Sequence, residues 1–223
     1  MKPILRISAA AAALALCGAA SAQSAGSWSA RVGVTRIDPQ TSSGWLSPPA
    51  FANTRLDVGA ANQVSGGLTY MFTDNWAIDV PLAPPFKHDF YGAGAIAGVG
   101  KVGQAKVMPI SVFAQYRFGE AQAKFRPYVA LGLTYAWFSR ERTTAALNGL
   151  TGGTLANPTT ASVDNRFGVT PQIGFVYNFN ERWFVDASFS KSILKTKAHL
   201  STGQSIDLRL NPNVYFIGIG YRF

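Results

Sequence analysis

His88 and His199 are the only imidazoles in the chain, and Asp89 adjoins the first of them. An imidazole beside a carboxylate could hold a metal or activate a water molecule. Hydrolysis needs a nucleophile, a base and an orienting acid brought together, and no spacing here links three such residues. No catalytic residue, metal ligand or cofactor is therefore assigned, and the chain is not read as an enzyme. Both histidines read as solvated loop residues, with pH sensing at His88 a weaker alternative. Gly92-Ala93-Gly94-Ala95-Ile96-Ala97 imitates a dinucleotide fingerprint. It lacks a strand–helix–strand setting and has no acid about 20 residues on. Gly100-Lys101 is followed by Val102 rather than Ser or Thr, which removes the phosphate-loop option. These glycines read instead as a mobile loop.

A more telling set of charges is scattered singly through apolar surroundings: Arg31, Asp79, Arg117, Arg126, Arg166, Asp186 and Arg222. What they do depends on the face they share. Lys and Arg number 20 against 11 Asp and Glu, a formal charge of +9, yet charged residues make up only 14% of the chain. Apolar residues reach 48% and aromatics 13%, which argues against disorder. A single cysteine excludes a disulfide scaffold and a cysteine zinc cluster. The basic residues do not cluster, so nucleic acid is not an expected partner.

Residues 1–22 read as a signal peptide. Lys2 and Arg6 supply a basic start, an uncharged run follows, and Ala20-Ser21-Ala22 gives a small-x-small cleavage pattern. The apolar run is too short to cross a bilayer as a helix. Leu14-Ala15-Leu16-Cys17 resembles a lipid-attachment box, but Leu16 is bulky where a small residue belongs. Cleavage after Ala22 leaves 201 of the 223 residues, removes the cysteine, and lowers the charge from +9 to +7 as Lys2 and Arg6 depart.

Residues 23–223 read with period two. Trp28, Ala30, Val32 and Val34 alternate with small and polar residues. The same pattern recurs over 63–72, 76–80, 110–118, 128–137, 166–177, 183–190 and 215–223. Eight strands result, each with one apolar face. A soluble sandwich would alternate too. Three features favour an all-β, eight-stranded antiparallel transmembrane barrel instead. The second face is mostly Gly, Ser, Thr, Ala and Gln, as a packed polar lumen requires. Short connections (73–75, 119–124, 178–182) alternate with longer ones (38–62, 83–106, 139–164, 196–205), which suits short periplasmic turns and longer extracellular loops. Finally, Trp28, Trp76 and Trp183 open upward strands while Tyr70, Phe72, Tyr116, Phe118, Tyr177, Tyr221 and Phe223 close downward ones, which places one aromatic girdle on the periplasmic side. Backbone groups in hydrocarbon must all be paired, so the sheet must close.

Parity then turns Arg31, Asp79, Arg117, Arg126, Arg166, Asp186 and Arg222 into the lumen, where they must pair, hydrogen-bond or stay wet. Eight strands leave an interior just wide enough to be filled by side chains. The charges thus read first as a rigidifying salt-bridge plug, and second as a constriction against free ion flow. Leu82, Phe86, Phe90, Phe138, Leu147 and Leu150, around the second and third loops, could line a hydrophobic vestibule. Pro81, Pro84 and Pro85 interrupt the third strand near its outer end, and Pro109, Pro127, Pro171 and Pro212 lie in or beside strands. Each removes a ladder hydrogen bond, so they mark strand-end bulges or a weakened seam in the upper wall. The terminal pattern Tyr215, Ile217, Ile219, Tyr221, Phe223 resembles the signal read by the outer-membrane assembly machinery.

Several runs resemble the OmpW family of small outer-membrane proteins: Arg31-Val32-Gly33 with Asp38-Pro39, Leu68 through Ala77, Pro85-Phe86-Lys87-His88-Asp89, Gly100-Lys101-Val102-Gly103, Phe125-Arg126-Pro127-Tyr128, Leu210-Asn211-Pro212 and Ile217 through Phe223. They are spread in order over nearly all of the chain after the signal. The chain departs from the family at Pro84, where Thr is frequent, and at Val107-Met108-Pro109-Ile110, where Leu-Pro-Pro is frequent. The resemblance implies an eight-stranded, porin-like barrel in the Gram-negative outer membrane and a role in passage of small hydrophobic molecules. The expected function is a passive channel for such solutes, with exit sideways into the membrane. The alternative is a surface receptor or structural protein whose loops bind a partner. Expected partners are outer-membrane lipid, lipopolysaccharide drawn to the positive charge, small hydrophobic solutes and the assembly machinery.

Overall fold

The computed structural model describes residues 24–50, 52–154 and 156–223. The segment read as a signal peptide, with Cys17, lies outside the described residues. Among the described residues no helix is long and apolar enough to cross a membrane.

The described residues form fourteen strands in chain order: β1 (Trp28–Asp38), β2 (Ser42–Ser43), β3 (Thr54–Val58), β4 (Ala61–Met71), β5 (Trp76–Leu82), β6 (Phe86–Gly94), β7 (Lys101–Arg117), β8 (Phe125–Thr143), β9 (Ala161–Val163), β10 (Arg166–Asn178), β11 (Trp183–Lys191), β12 (Lys195–Leu200), β13 (Ser205–Arg209) and β14 (Asn213–Arg222). Among the described residues one helix, α1 (Ala145–Thr151), sits between β8 and β9 and ends at Gly152 in the left-handed conformation. Eight strands pair in the ring β1-β4-β5-β7-β8-β10-β11-β14, and β14 returns to β1 from Ser29↔Arg222 to Asp38↔Asn213. Each barrel strand is thus paired on both sides over at least part of its length.

The outward face carries Val32, Val34, Val64, Leu68, Ile110, Val112, Leu131, Leu133, Ile173, Ile217 and Ile219, all exposed. This is the inverse of a soluble core and is what an acyl-chain environment selects. Aromatic pairs gather on the periplasmic side, among them Trp28–Tyr70, Trp76–Tyr116 and Trp183–Tyr221, with centroids 4.9, 5.1 and 5.1 Å apart. Tyr135–Phe167 and Phe189–Tyr215 mark the upper rim.

The longer connections are not open loops. β7 and β8 run on well above the membrane band, to 17 and 19 residues. β6 pairs with upper β7, and β3 with β6. A separate four-stranded sheet, β2-β13-β12-β9, completes this outer storey. Its interior holds the main apolar clusters. Val58, Phe138, Val163, Leu194, Ile206, Leu208 and neighbours form one, and Ile96, Val102 and Leu147 another. The glycine-rich stretch read as a mobile loop is the end of β6 and its tight turn into β7, anchored by buried Ile96. Gly94 holds a positive φ of 65°, which an L side chain rarely adopts.

Candidate functional site: a layered lumen

Inward positions of the barrel strands sort by height into three layers. The lowest holds charge. Arg31 on β1 grips Asp79 on β5 with both terminal nitrogens, the Nη2–Oδ2 bond measuring 2.7 Å. Thr69 on β4 donates to the same carboxylate at 2.7 Å. Arg31 Nε lies 3.6 Å from Asp186 on β11, and Tyr128 on β8 donates to Asp186 at 2.9 Å. Gly67 makes room for this cluster, since a Cβ there would lie 2.9 Å from Arg31 Cζ. Arg117 donates to Gln115 at 3.2 Å and sits over the Tyr128 ring.

Two further arginines seal the periplasmic end. Arg126 donates to the carbonyls of Asp74, Phe118 and Gly119 at 2.6, 3.3 and 3.2 Å. Arg222 donates to the Glu181 carbonyl at 2.6 Å and to Asn178 at 3.0 Å. Six of the seven charges placed in the lumen by parity therefore lie there. Arg166 is the exception: it is half exposed and pairs with Asp164 at 2.9 Å. It is the first residue of β10, beyond the last β10–β11 ladder pair at Gln172↔Ser190. Its side chain is free to turn to the rim instead.

Above the charges lies a belt of hydroxyls. Ser111, Thr134, Thr170 and Ser192 form a hydrogen-bonded chain across β7, β8, β10 and the end of β11, with steps of 2.8, 2.8 and 2.9 Å. Higher still the wall turns apolar. A cavity of about 130 Å³ has Arg31 at its floor, the hydroxyl belt at mid-height and Phe86, Phe90, Phe138, Leu194 and Leu210 around its top. A cavity of about 150 Å³ can admit a benzene-sized guest. A second cavity, lined by Leu56, Ile96, Val102, Leu147 and Leu150, adjoins it and shares Val58, Phe90, Val163 and Leu208 with it. Of the six vestibule residues, Leu82, Phe86 and Phe138 line the lower cavity, Leu147 and Leu150 the upper, and Phe90 lines both.

The wall beside the cavity is incomplete. β5 and β7 pair from Trp76↔Tyr116 only as far as Asp79↔Phe113, and pairing resumes at Phe86↔Val107. Residues 80–85 and 108–112 therefore face one another with no ladder between them. Arg117 N–H donates to the Asn75 carbonyl. In an antiparallel pair the backbone groups alternate in direction, so the odd-numbered residues of both strands aim theirs across this seam. Pro81 and Pro109 are both odd, and neither has an N–H to give. An external groove at this height shares Pro81, Leu82, Ala83, Pro109 and Ser111 with the internal cavity.

The OmpW family model matches residues 24–223. The chain belongs to the OmpW family. Outer membrane protein W of Vibrio cholerae is 35% identical over 204 residues, covering 89% of each chain. That of Escherichia coli K12 is 31% identical, covering 98% of this chain and 99% of the relative. The crystal structure of the outer membrane protein OprG from Pseudomonas aeruginosa matches with a TM-score of 0.80 at 26% identity, over 91% of this chain and 99% of that one. This OmpW-family member is an outer-membrane β-barrel, and the membrane lipid is its surroundings.

The family-like run Pro85 through Asp89 opens β6, directly above the seam. Among the histidines, His199 is exposed on β12, 3.6 Å from Asp164. His88, read as solvated, is instead buried in the wall of the lower cavity, a correction whose cause is the outer storey packed around it. Its Nδ1 meets the Gly59 carbonyl at 2.8 Å; a carbonyl only accepts, so Nδ1 carries the hydrogen. Asp89 turns away to Lys101, 2.7 Å distant. Burial pushes the His88 imidazole below its ordinary value. The folded state then binds fewer protons than the unfolded one, and stability falls as pH drops through the unfolded value of about 6.5. Amide exchange in β6, corrected for intrinsic pH dependence, is expected to quicken from pH 7 to 5, and His88→Gln to flatten that response. A flat wild-type profile would contradict the assignment.

Sequence patterning did not find Ile37, Val58, Leu194, Leu208 and Leu210 as cavity residues. Their signal was hidden in segments too long and too rich in turns to assign a face.

Proposed function

We propose that this barrel is a passive conduit for small hydrophobic molecules. They enter through the apolar outer storey, rest above the hydroxyl belt, and leave sideways between β5 and β7 into the membrane. The reading is carried by the seam: residues on both of its lips, Pro81, Leu82 and Ala83 on one and Pro109 and Ser111 on the other, line the inner cavity and the outer groove. A straight path downward would cross the Arg31–Asp79–Asp186 layer, where an apolar solute finds only desolvation cost. The wall offers it lipid directly. On this reading no chemistry is performed on the cargo.

Exposed Arg36, Lys87, Lys191 and Lys195 lie toward the outer end of the strands, and suit contact with the phosphates of lipopolysaccharide. Tyr215, Ile217, Ile219, Tyr221 and Phe223 present an outward apolar row on the last strand, which fits recognition by the assembly machinery. The test is uptake of an apolar fluorescent probe by cells with and without the protein. Faster uptake with it is expected, and equal uptake would remove the proposal.

A further inference from the structure

The hydroxyl belt is unevenly committed, and the imbalance points at one wall. Thr170 donates to Ser192. A hydroxyl has a single hydrogen, so the hydrogen between Thr134 and Thr170 belongs to Thr134, and the one between Ser111 and Thr134 belongs to Ser111. The chain runs in one direction, from Ser111 on β7 to Ser192 just beyond β11. The hydrogen of Ser192 is left for the lumen.

Two more inward serines lie below it on β11. Ser188 Oγ accepts from Gln172 Nε2 at 3.4 Å, which leaves its own hydrogen unspent. Ser190 Oγ has no hydrogen bond among the described residues. Both line the lower cavity, as Ser192 does. Ser188, Ser190 and Ser192 thus form a vertical ladder of available O–H groups. In the ring β1-β4-β5-β7-β8-β10-β11-β14, β11 stands across the lumen from the β5–β7 seam.

We infer that the cargo is a neutral amphiphile with one hydrogen-bonding head, such as an alcohol. Its head is held on the β11 serine ladder while its tail points across the lumen to the seam. A plain hydrocarbon would bury these hydroxyls without partners, at a cost. An alcohol oxygen accepts from the ladder and its hydrogen returns to one of the belt's lone pairs. A carboxylate does not suit the site. The guanidinium in the cavity floor, Arg31, is already gripped by Asp79 and faces Asp186, so a third carboxylate would meet two like charges. This inference rests on the conduit reading and adds the chemical class and orientation of what passes.

The test titrates decan-1-ol and decane, by mole fraction in lipid, into the full barrel in nanodiscs, following the amide resonances of Thr170 and Ser192. The paired substitution S188A/S190A is expected to weaken decan-1-ol about threefold to tenfold, the worth of one hydrogen bond, and to leave decane unchanged. Ser190→Thr keeps a hydroxyl and is expected to keep the alcohol affinity. Equal loss in Ser190→Ala and Ser190→Thr would assign the effect to packing and overturn the ladder, as would an alcohol affinity that S188A/S190A leaves untouched. Decane entering normally while the alcohol gains nothing overturns this inference alone. Neither compound moving these resonances overturns the conduit reading with it.

Discussion

Asp79→Ala is expected to destabilise the barrel by about 3–5 kcal/mol, the cost of stripping one partner from a buried ion pair. The magnitude follows from the surroundings. Asp79 is fully buried and takes two bonds from Arg31 and one from Thr69. Without it, Arg31 keeps the Thr69 hydroxyl at 3.1 Å and the longer approach to Asp186 at 3.6 Å, but no bidentate carboxylate. Urea unfolding of the protein in lipid vesicles, followed by tryptophan fluorescence, measures the loss. A combined Arg31→Met and Asp79→Leu replacement is expected to recover part of it, since an apolar pair can replace an ionic one. Recovery stays partial because Asp186 then keeps Tyr128 but loses Arg31. An Asp79→Ala midpoint equal to that of the wild type would show that the layer is wet enough to need no internal pairing.

The second large effect is on passage. Extending the register beyond Asp79↔Phe113 sets Pro81 opposite Ser111 and Ala83 opposite Pro109. The two prolines fall where two consecutive cross-strand donors belong. Pro81→Val with Pro109→Val returns both N–H groups. Each restored bond is worth about 0.5–1.5 kcal/mol, so sealing the seam is expected to lower apolar-probe uptake on the order of tenfold. Slowed amide exchange over 80–85 would confirm that the ladder has formed. A sealed ladder with undiminished uptake would end the sideways route, while leaving the barrel and its cavity as described.

How much of this was legible depended on where a residue sits relative to that seam. Below it, strict alternation holds, and two-residue periodicity placed Arg31, Asp79, Arg117, Arg126, Asp186 and Arg222 correctly. Above it, parity reverses. Ile78 faces outward and Asp79 inward, whereas Phe86 and His88 face inward and Lys87 outward. The Pro84–Pro85 step shifts the register by one residue, and such a slip exchanges the two faces of a strand. Sequence parity therefore sends His88 to solvent and gives no strand alternation in the outer storey, whereas the fold buries His88 there. Arg166 departs for a different reason: it still pairs with Ala136 on β8, but it lies beyond the last β11 pair, and its side chain turns to Asp164 at the rim. The two departures from the family pattern, Pro84 and Val107-Met108-Pro109-Ile110, lie on opposite sides of the unpaired stretch between β5 and β7, a proximity that sequence alone does not show.

The ionic layer is assembled from distant parts of the polypeptide. Arg31 comes from the first barrel strand, Asp79 from the third and Asp186 from the seventh. No single hairpin can neutralise it. Asp79 can meet Arg31 once three neighbouring strands are in place, whereas Asp186 comes within reach of that guanidinium only when the ring closes.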